Sequence, residues 1–284
     1  VQAGATARAV AERLAQAGID TARLDARLLV AKVLGVSPDR VALAPDMAIS
    51  PEQAGRLEHL AARRLAREPM SHILGRRGFW TLNLKVTADT LDPRGDTETL
   101  VEAVLKRLPD RAAPLKVVDF GTGTGAILLA LLSELPNATG VAVDKSPAAL
   151  EVARENSIAH GLSVRTRFLL SDWGRDLDER FDVIVSNPPY IPDQDIDGLE
   201  PEVARYEPRL ALAGGADGLD CYRQLVPHMA RLLNPDGIAA VEVGKGQAEA
   251  VAALFRQYGI TVLALEQDLA GVQRCVVGGR QESI

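Results

Sequence analysis

Four residues able to do chemistry stand together at Asn187-Pro188-Pro189-Tyr190. They follow the apolar run Val183-Ile184-Val185, whose β-branched side chains suit a buried strand. Proline has no N–H to give a strand ladder, and it biases the preceding residue toward extended backbone. The strand must therefore stop here, with an amide and a phenol at its carboxyl end. In open α/β sheets that end is where ligands bind. Read alone, the stretch is equally a tight turn that contains Asn and Tyr.

A second cluster lies upstream. Asp119-Phe120-Gly121-Thr122-Gly123-Thr124-Gly125 sits between a strand-like run and a helix-like run. Glycines there allow a tight turn and a close approach of backbone to ligand. Nicotinamide-dinucleotide folds share such a loop, so the glycines alone leave two cofactor classes open. The third glycine comes two residues after the second, and Asp119 ends the preceding strand. A carboxylate beside the loop repels a pyrophosphate but suits a cationic amino-acid moiety, which favours S-adenosylmethionine. Asp144 ends the next strand, about 20 residues on, where an acid accepts from both ribose hydroxyls. Its alternative is a turn aspartate capping the helix after Pro147. Asp172 can accept from an adenine amine and Trp173 can stack on the base, unless Ser171-Asp172-Trp173 is only a surface turn.

These residues need a sheet to hold them. Strand-like runs at 117–120, 140–144, 164–170, 181–186, 237–243, 261–265 and 274–277 alternate with helical patterns at 126–135, 147–160, 221–233 and 247–258. That alternation predicts a doubly wound, mainly parallel sheet of Rossmann-like type. Residues 191–218 form a long, acidic, Pro/Gly-rich loop, as functional or mobile segments often do. Upstream, residues 1–78 predict a bundle of four or five helices. Val10 and Leu14, then Leu24, Leu28, Leu29 and Val33, mark apolar faces. Asp20 is a candidate cap, Gly35 a candidate stop, Ser37-Pro38 a start, and Ser50 with Gln53 a capping box. Arg56, Arg63, Arg64 and Arg67 fall on or near an outer face. Residues 79–95 predict a β-hairpin and loop linker, and residues 96–284 the ligand-binding domain.

Composition bounds the function. With 47% hydrophobic and 25% charged residues, the 284-residue chain has material for a sizeable core. Cys221 and Cys275 are far apart, without metal-ligand spacing, so neither a disulfide framework nor a metal site is expected. No stretch approaches membrane-spanning length and no secretory leader opens the sequence, so a cytoplasmic protein with no membrane partner is expected. The net charge of −6 argues against general nucleic-acid binding. Residues 1–78 carry 12 basic and 8 acidic side chains, the remainder 20 and 30. That asymmetry suggests separate partners for the two parts, or merely an Arg-rich solvated helix surface.

A strand-end Asn-Pro-Pro-Tyr downstream of an Asp-x-Gly-x-Gly-x-Gly loop resembles the signature of methyltransferases acting on planar nitrogen. The fit is physical. An amide or aryl amine nitrogen is a poor nucleophile, and the Asn187 and Pro188 carbonyls can accept its two N–H bonds, orienting it and stabilising its developing positive charge. Tyr190 can pack on the flat group. Glu68-Pro69, Ile73-x-Gly75, Phe79 and Leu91-x-Pro93-Arg94-x-Asp96-Thr97-Glu98 extend the pattern, and Asp268-Leu269-Ala270-Gly271 with Arg274 resembles its closing segment. The joint pattern resembles the protein-glutamine methyltransferases of the HemK/PrmC type over nearly the whole chain. The resemblance implies a class I methyltransferase fold, S-adenosylmethionine as donor and S-adenosylhomocysteine as product. It implies methylation of the glutamine side-chain amide in the Gly-Gly-Gln motif of peptide-chain release factors, in translation termination, with the helical module docking the release factor. By the same resemblance Asp119, Gly121, Thr122, Gly123, Thr124, Gly125, Asp144, Asp172 and Trp173 hold the donor. Asn187 touches both substrates, and Pro188, Pro189 and Tyr190 the glutamine.

Two positions depart from the family pattern. Asp92 stands for an apolar residue and Gly95 for a proline. A buried aspartate without a partner is costly, so the loop is expected to be more exposed or mobile here. Rival readings are a methyltransferase for a ribosomal-protein glutamine, an adenine-specific DNA methyltransferase, a donor-binding regulator without turnover, and an NAD oxidoreductase. The acidic second part, without a segment for reading bases, argues against DNA. No His/Lys/Tyr proton-transfer set near the sheet's carboxyl end supports the oxidoreductase.

Overall fold

Caps written into the sequence start the first helices. In this computed structural model, which describes residues 1–280, the chain divides into two units: residues 1–75 with 200–206, and residues 76–199 with the remainder. The first unit opens with α1 (Ala3–Gln16), α2 (Ala22–Leu34), α3 (Pro38–Leu43), α4 (Pro51–Leu65) and α5 (Met70–Leu74). Ser50 accepts from the Gln53 amide while the Gln53 side chain accepts from the Ser50 amide, a full capping box. Ser37 caps α3, and Gly35 ends α2 at φ +67°. Asp20 is not a cap; Thr21 precedes α2 and its hydroxyl donates to Asp25. Arg64 is also not on an outer face. It is buried and paired with buried Asp25 at 2.7 Å and with Glu202 at 2.8 Å. The acids that neutralise it lie 39 and 138 residues away in sequence.

The second unit begins with a hairpin, β1 (Arg76–Phe79) and β2 (Leu82–Lys85), followed by α6 (Glu98–Leu105). Then come β3 (Lys116–Phe120), α7 (Ala126–Glu134), β4 (Thr139–Asp144), α8 (Pro147–Ala159), β5 (Thr166–Leu170) and β6 (Phe181–Ser186). The 191–218 stretch is not a bare loop. It holds short turns of helix at Asp193–Gly198 and Arg209–Ala211, and α9 (Pro201–Tyr206), which belongs to the first unit. The chain ends through α10 (Asp220–Leu232), β7 (Leu233–Glu242), α11 (Ala248–Gln257), β8 (Thr261–Gln267) and β9 (Gln273–Gly279).

The seven strands run in the order β5-β4-β3-β6-β7-β9-β8, parallel except for β9, which is antiparallel to both neighbours. Their period of two puts one core on each face. Val117, Val183 and Val185 join the side covered by α6 and α7, while Val118 and Ile184 join that of α10 and α11. The chain winds outward from β3 to β5, then returns to start β6 on the other side. The carboxyl ends of β3 and β6 are thus a topological switch point, where a crevice opens.

Candidate active site

The strand β3 delivers the glycine loop to that crevice. Gly121, Gly123 and Gly125 all have left-handed φ, +70°, +54° and +83°, so the loop folds back in a way side chains would resist. Gly121 and Thr122 donate their amides to the Val143 carbonyl, both at 2.9 Å, which ties the loop to β4. Gly125 sits against Leu129 and Ala153, where an added Cβ would come within 3.1 Å of the leucine. Asn156 on α8 secures the loop's far side by donating to the Thr124 carbonyl at 2.9 Å, and also bonds Lys85 of the hairpin. No motif announces Asn156.

A cavity of ≈ 310 Å³ opens over this loop, within the range of small-molecule sites. Gly121, Thr122, Gly123 and Thr124 line it, with Asp144 from the end of β4, Asp172 and Trp173 from beyond β5, and Asn187 and Pro189 from beyond β6. Asp119, Gly125, Pro188 and Tyr190 do not line it. Asp119 is completely buried behind the loop, where Oδ2 accepts from the Thr122 hydroxyl at 2.7 Å and Oδ1 has no partner. Burial pushes its pKa up to about 7, with the Asp144 charge adding to the rise and the Thr122 hydrogen bond opposing it. The expectation of a carboxylate facing a cationic ligand is therefore corrected: Asp119 braces the loop from within. Asp144 accepts from the Gly123 amide on Oδ2 and the Ser146 amide on Oδ1, both at 2.9 Å. Each oxygen keeps a second lone pair for a ligand. Burial raises its pKa, and those two amides resist the rise. Ser146, not Asp144, caps α8. Trp173 has a left-handed backbone, φ +54°, and donates its indole N–H to Gln224 at 3.2 Å.

On the opposite wall, Ser186 closes β6 by donating to the Phe120 carbonyl at 2.7 Å, which joins the ends of the two switch-point strands. The Asn187 amide nitrogen donates to the Thr97 hydroxyl at 3.3 Å. The Tyr190 hydroxyl donates to Oε1 of Glu242, the last residue of β7, at 3.3 Å. Its carbonyl accepts from Gln247 at 2.9 Å. Gly214 packs so closely that a Cβ there would lie 2.8 Å from the Tyr190 Cα. Glu242 is buried, and burial raises its pKa to about 7 while the nearby Thr97 and Tyr190 hydroxyls and the charge of Arg274 hold it down. Burial and that same carboxyl push the Tyr190 phenol well above its ordinary value.

The variant loop is buried at Asp92, Pro93 and Thr97 and exposed at Gly95 and Asp96. Asp92 is buried, 3.9 Å from Arg77, with Oδ1 unpartnered. Its amide bonds the Glu207 carboxyl, which also pairs with Arg94. Burial first, and the Asp92 charge second to Arg94's opposing pull, raise Glu207 to about 7. Leu91, Pro93, Arg94 and Thr97 from this loop line the cavity, as do Pro208, Leu210 and Ala211 from the segment after Glu207. Among these residues, sequence reading assigned no role to Thr97, Glu207 or Glu242. A lone acid closing an apolar strand, as Glu242 closes Ile238-Ala239-Ala240-Val241, repeats the placement of Asp119 and Asp144 and is the signal that was available. Among the described residues, no cluster of three or more His, Cys, Asp or Glu could hold a metal, and no helix is long and apolar enough to cross a membrane.

Residues 6–75 match the PrmC N-terminal domain model and residues 89–200 the methyltransferase small domain model. A release factor glutamine methyltransferase of Rhodospirillum rubrum is 51% identical over 269 residues, 95% of this chain and 82% of the relative. One of Caulobacter vibrioides is 46% identical over 271 residues, 95% of this chain and 93% of the relative. Among solved structures, a ribosomal protein L11 methylase from Lactobacillus delbrueckii superposes with a TM-score of 0.51 at 20% identity, covering 68% of this chain and 83% of that one. A methyltransferase from Pyrococcus furiosus gives 0.53 at 16%, covering 82% and 100%. Those two likenesses speak for the Rossmann-like methyltransferase fold, and the identities to the curated relatives are far higher. The chain belongs to the family of release factor glutamine methyltransferases.

Proposed function

We propose that this protein transfers a methyl group from S-adenosylmethionine to the side-chain amide nitrogen of the glutamine in the Gly-Gly-Gln motif of peptide-chain release factors, in the cytoplasm. The observation that carries the reading is the meeting of two motifs in one cavity: the glycine loop with Asp144 on one wall, Asn187 on the other. The residues present suit the donor. Asp144 keeps acceptor capacity for a ribose diol, Trp173 offers a flat apolar surface, and the main chain of 121–124 allows close approach. S-Adenosylmethionine, when bound, supplies a methyl group already activated on a sulfonium.

The chain's own residues supply position and polarity. Oδ1 of Asn187 and the Pro188 carbonyl accept the two N–H bonds of the glutamine amide. That aims the nitrogen lone pair into the cavity and stabilises the charge it acquires. Pro188 and Pro189 keep those carbonyls from drifting, because proline fixes φ. Tyr190, anchored at both ends by Glu242 and Gln247, walls the amide's plane. The nitrogen's surplus proton leaves to solvent, and no side chain is assigned as its base. The helical first unit docks the release factor. The test is to incubate the protein with isotopically labelled donor and a cell extract that contains release factors, ribosomes and DNA, and to locate the label by mass spectrometry. Label on the Gly-Gly-Gln glutamine, absent when that glutamine is alanine, is the expected result. Label confined to a ribosomal protein or to DNA overturns the assignment.

A further inference from the structure

We propose that Thr97 and Glu242 form a positioning relay that sets which end of the Asn187 amide faces the reacting nitrogen. The inference rests on the methyl-transfer reading above. A carboxamide can present either its oxygen or its NH2, and the two ends differ little in shape. Only the oxygen is useful to an N–H-bearing substrate, so something must hold the amide one way round.

The hydroxyl of Thr97 does this. Thr97 is buried, lines the cavity and lies 3.3 Å from Nδ2 of Asn187. A hydroxyl carries one proton. When that proton points away from Asn187, the oxygen can only accept there, so Nδ2 must be the end that faces it. Glu242 draws the proton away. Its carboxyl lies near enough to the Thr97 hydroxyl for that hydroxyl to hold its pKa down, and when ionised it can only accept. Oε1 already receives the Tyr190 hydroxyl, and Oε2 is buried without a hydrogen-bond partner. A buried acceptor left empty is costly, which strengthens the pull on the Thr97 proton. Among the described hydrogen bonds, none gives that proton another acceptor. Polarity thus runs one way, from Asn187 Nδ2 to Thr97 to Glu242, and leaves Oδ1 toward the substrate. The groups facing the Glu242 carboxyl are Arg274 and Cys275 from β9, Asp96 beside Thr97, Tyr190, and Tyr222 from α10. Arg274 favours the ionised form and Asp96 opposes it.

The relay is tested at pH 8 with purified protein, labelled donor and a release factor. Thr97→Val keeps the shape and removes the hydroxyl. Its kcat should fall about 10- to 100-fold, the range of one lost orienting hydrogen bond, with donor Kd unchanged within about twofold. Thr97→Ser should recover most of the rate. Glu242→Gln, whose amide can donate to Thr97 and reverse the chain, should lower kcat in the same direction. It also serves if Thr97→Val does not fold. The decisive measurement is a double-mutant cycle: in an Asn187→Ala background, Thr97→Val should cost little more, because its effect passes through Asn187. Multiplicative losses in the cycle, or near-wild-type kcat for both Thr97→Val and Glu242→Gln, overturn the relay. Absence of turnover by the unaltered protein would instead overturn the methyl-transfer reading.

Discussion

On the glycine-loop wall of the cavity, lining residues come from short stretches close in sequence, 121–124 and 144–146. Gly121 to Thr124 and Asp144 are fastened by backbone amides and by the Val143 carbonyl. Behind the Asn187 wall stand side chains from distant places: Thr97 from the loop before α6, Glu242 from β7, Arg274 from β9. In a side-chain network, removing one member strands its partners in a poorly solvated interior. The two walls should therefore fail differently when cut, the first in binding and the second in turnover.

The largest expected effect is on the Asn187 wall. In the proposed mechanism Asn187 supplies an acceptor for the reacting amide, so Asn187→Ala should lower kcat by about 10²- to 10³-fold, the scale of a lost preorganised polar group. Asn187 is only half-buried and its amide makes one long hydrogen bond, so the thermal midpoint should move little. Single-turnover kinetics beside thermal unfolding checks both. A large loss of stability with modest loss of rate would erase the contrast between the walls.

Next comes Asp144→Ala on the glycine-loop wall. Losing charged hydrogen bonds, worth about 1.5–3 kcal/mol, should weaken donor binding by about 10- to 100-fold. At saturating donor, kcat should stay within a few-fold of the unaltered protein. Calorimetry of donor binding with steady-state kinetics decides it. Unchanged donor affinity would remove Asp144 from the ligand-binding set.

The same division explains what the sequence could tell. The glycine loop and Asn187-Pro188-Pro189-Tyr190 are legible because each is a strand end followed by its own turn, so type and spacing carry the geometry. The alternating strands likewise announce a parallel sheet. Asp119 misleads, because the end of a strand does not say whether a side chain points to the ligand or back under the loop. Only the partner, Thr122, decides that. Arg64 misleads for the matching reason, its acids lying far along the chain. Thr97 and Glu242 are single residues 145 positions apart, without a motif, and nothing but the fold brings them together. Asp92 is buried against expectation because Arg77, Arg94 and Glu207 gather around it.

The smallest expected effect concerns those gathered acids and is read in stability. Glu207 and Glu242 have pKa values raised from 4.5 to about 7, and Asp119 from 3.8 to about 7. Between the lower and upper values the folded chain binds more protons than the unfolded chain. Unfolding free energy must then fall as pH rises across that window, by at most about 1.4 kcal/mol per pH unit for each fully titrating group. Their stabilising contribution is complete below pH 4 and spent above about 7. Acids with lowered values, Glu68 and Glu202 in the first unit, act in the opposite sense and at lower pH. Urea unfolding at pH 5, 6, 7 and 8 measures the slope. Glu207→Gln keeps the shape and an acceptor for the Asp92 amide, and it frees Arg94, already partly exposed. It should therefore flatten the slope without abolishing the fold. Asp119→Asn makes the matching change on the glycine-loop wall. If Glu207→Gln leaves the slope unchanged while Asp119→Asn flattens it, the buried proton resides under the glycine loop rather than beside the variant loop.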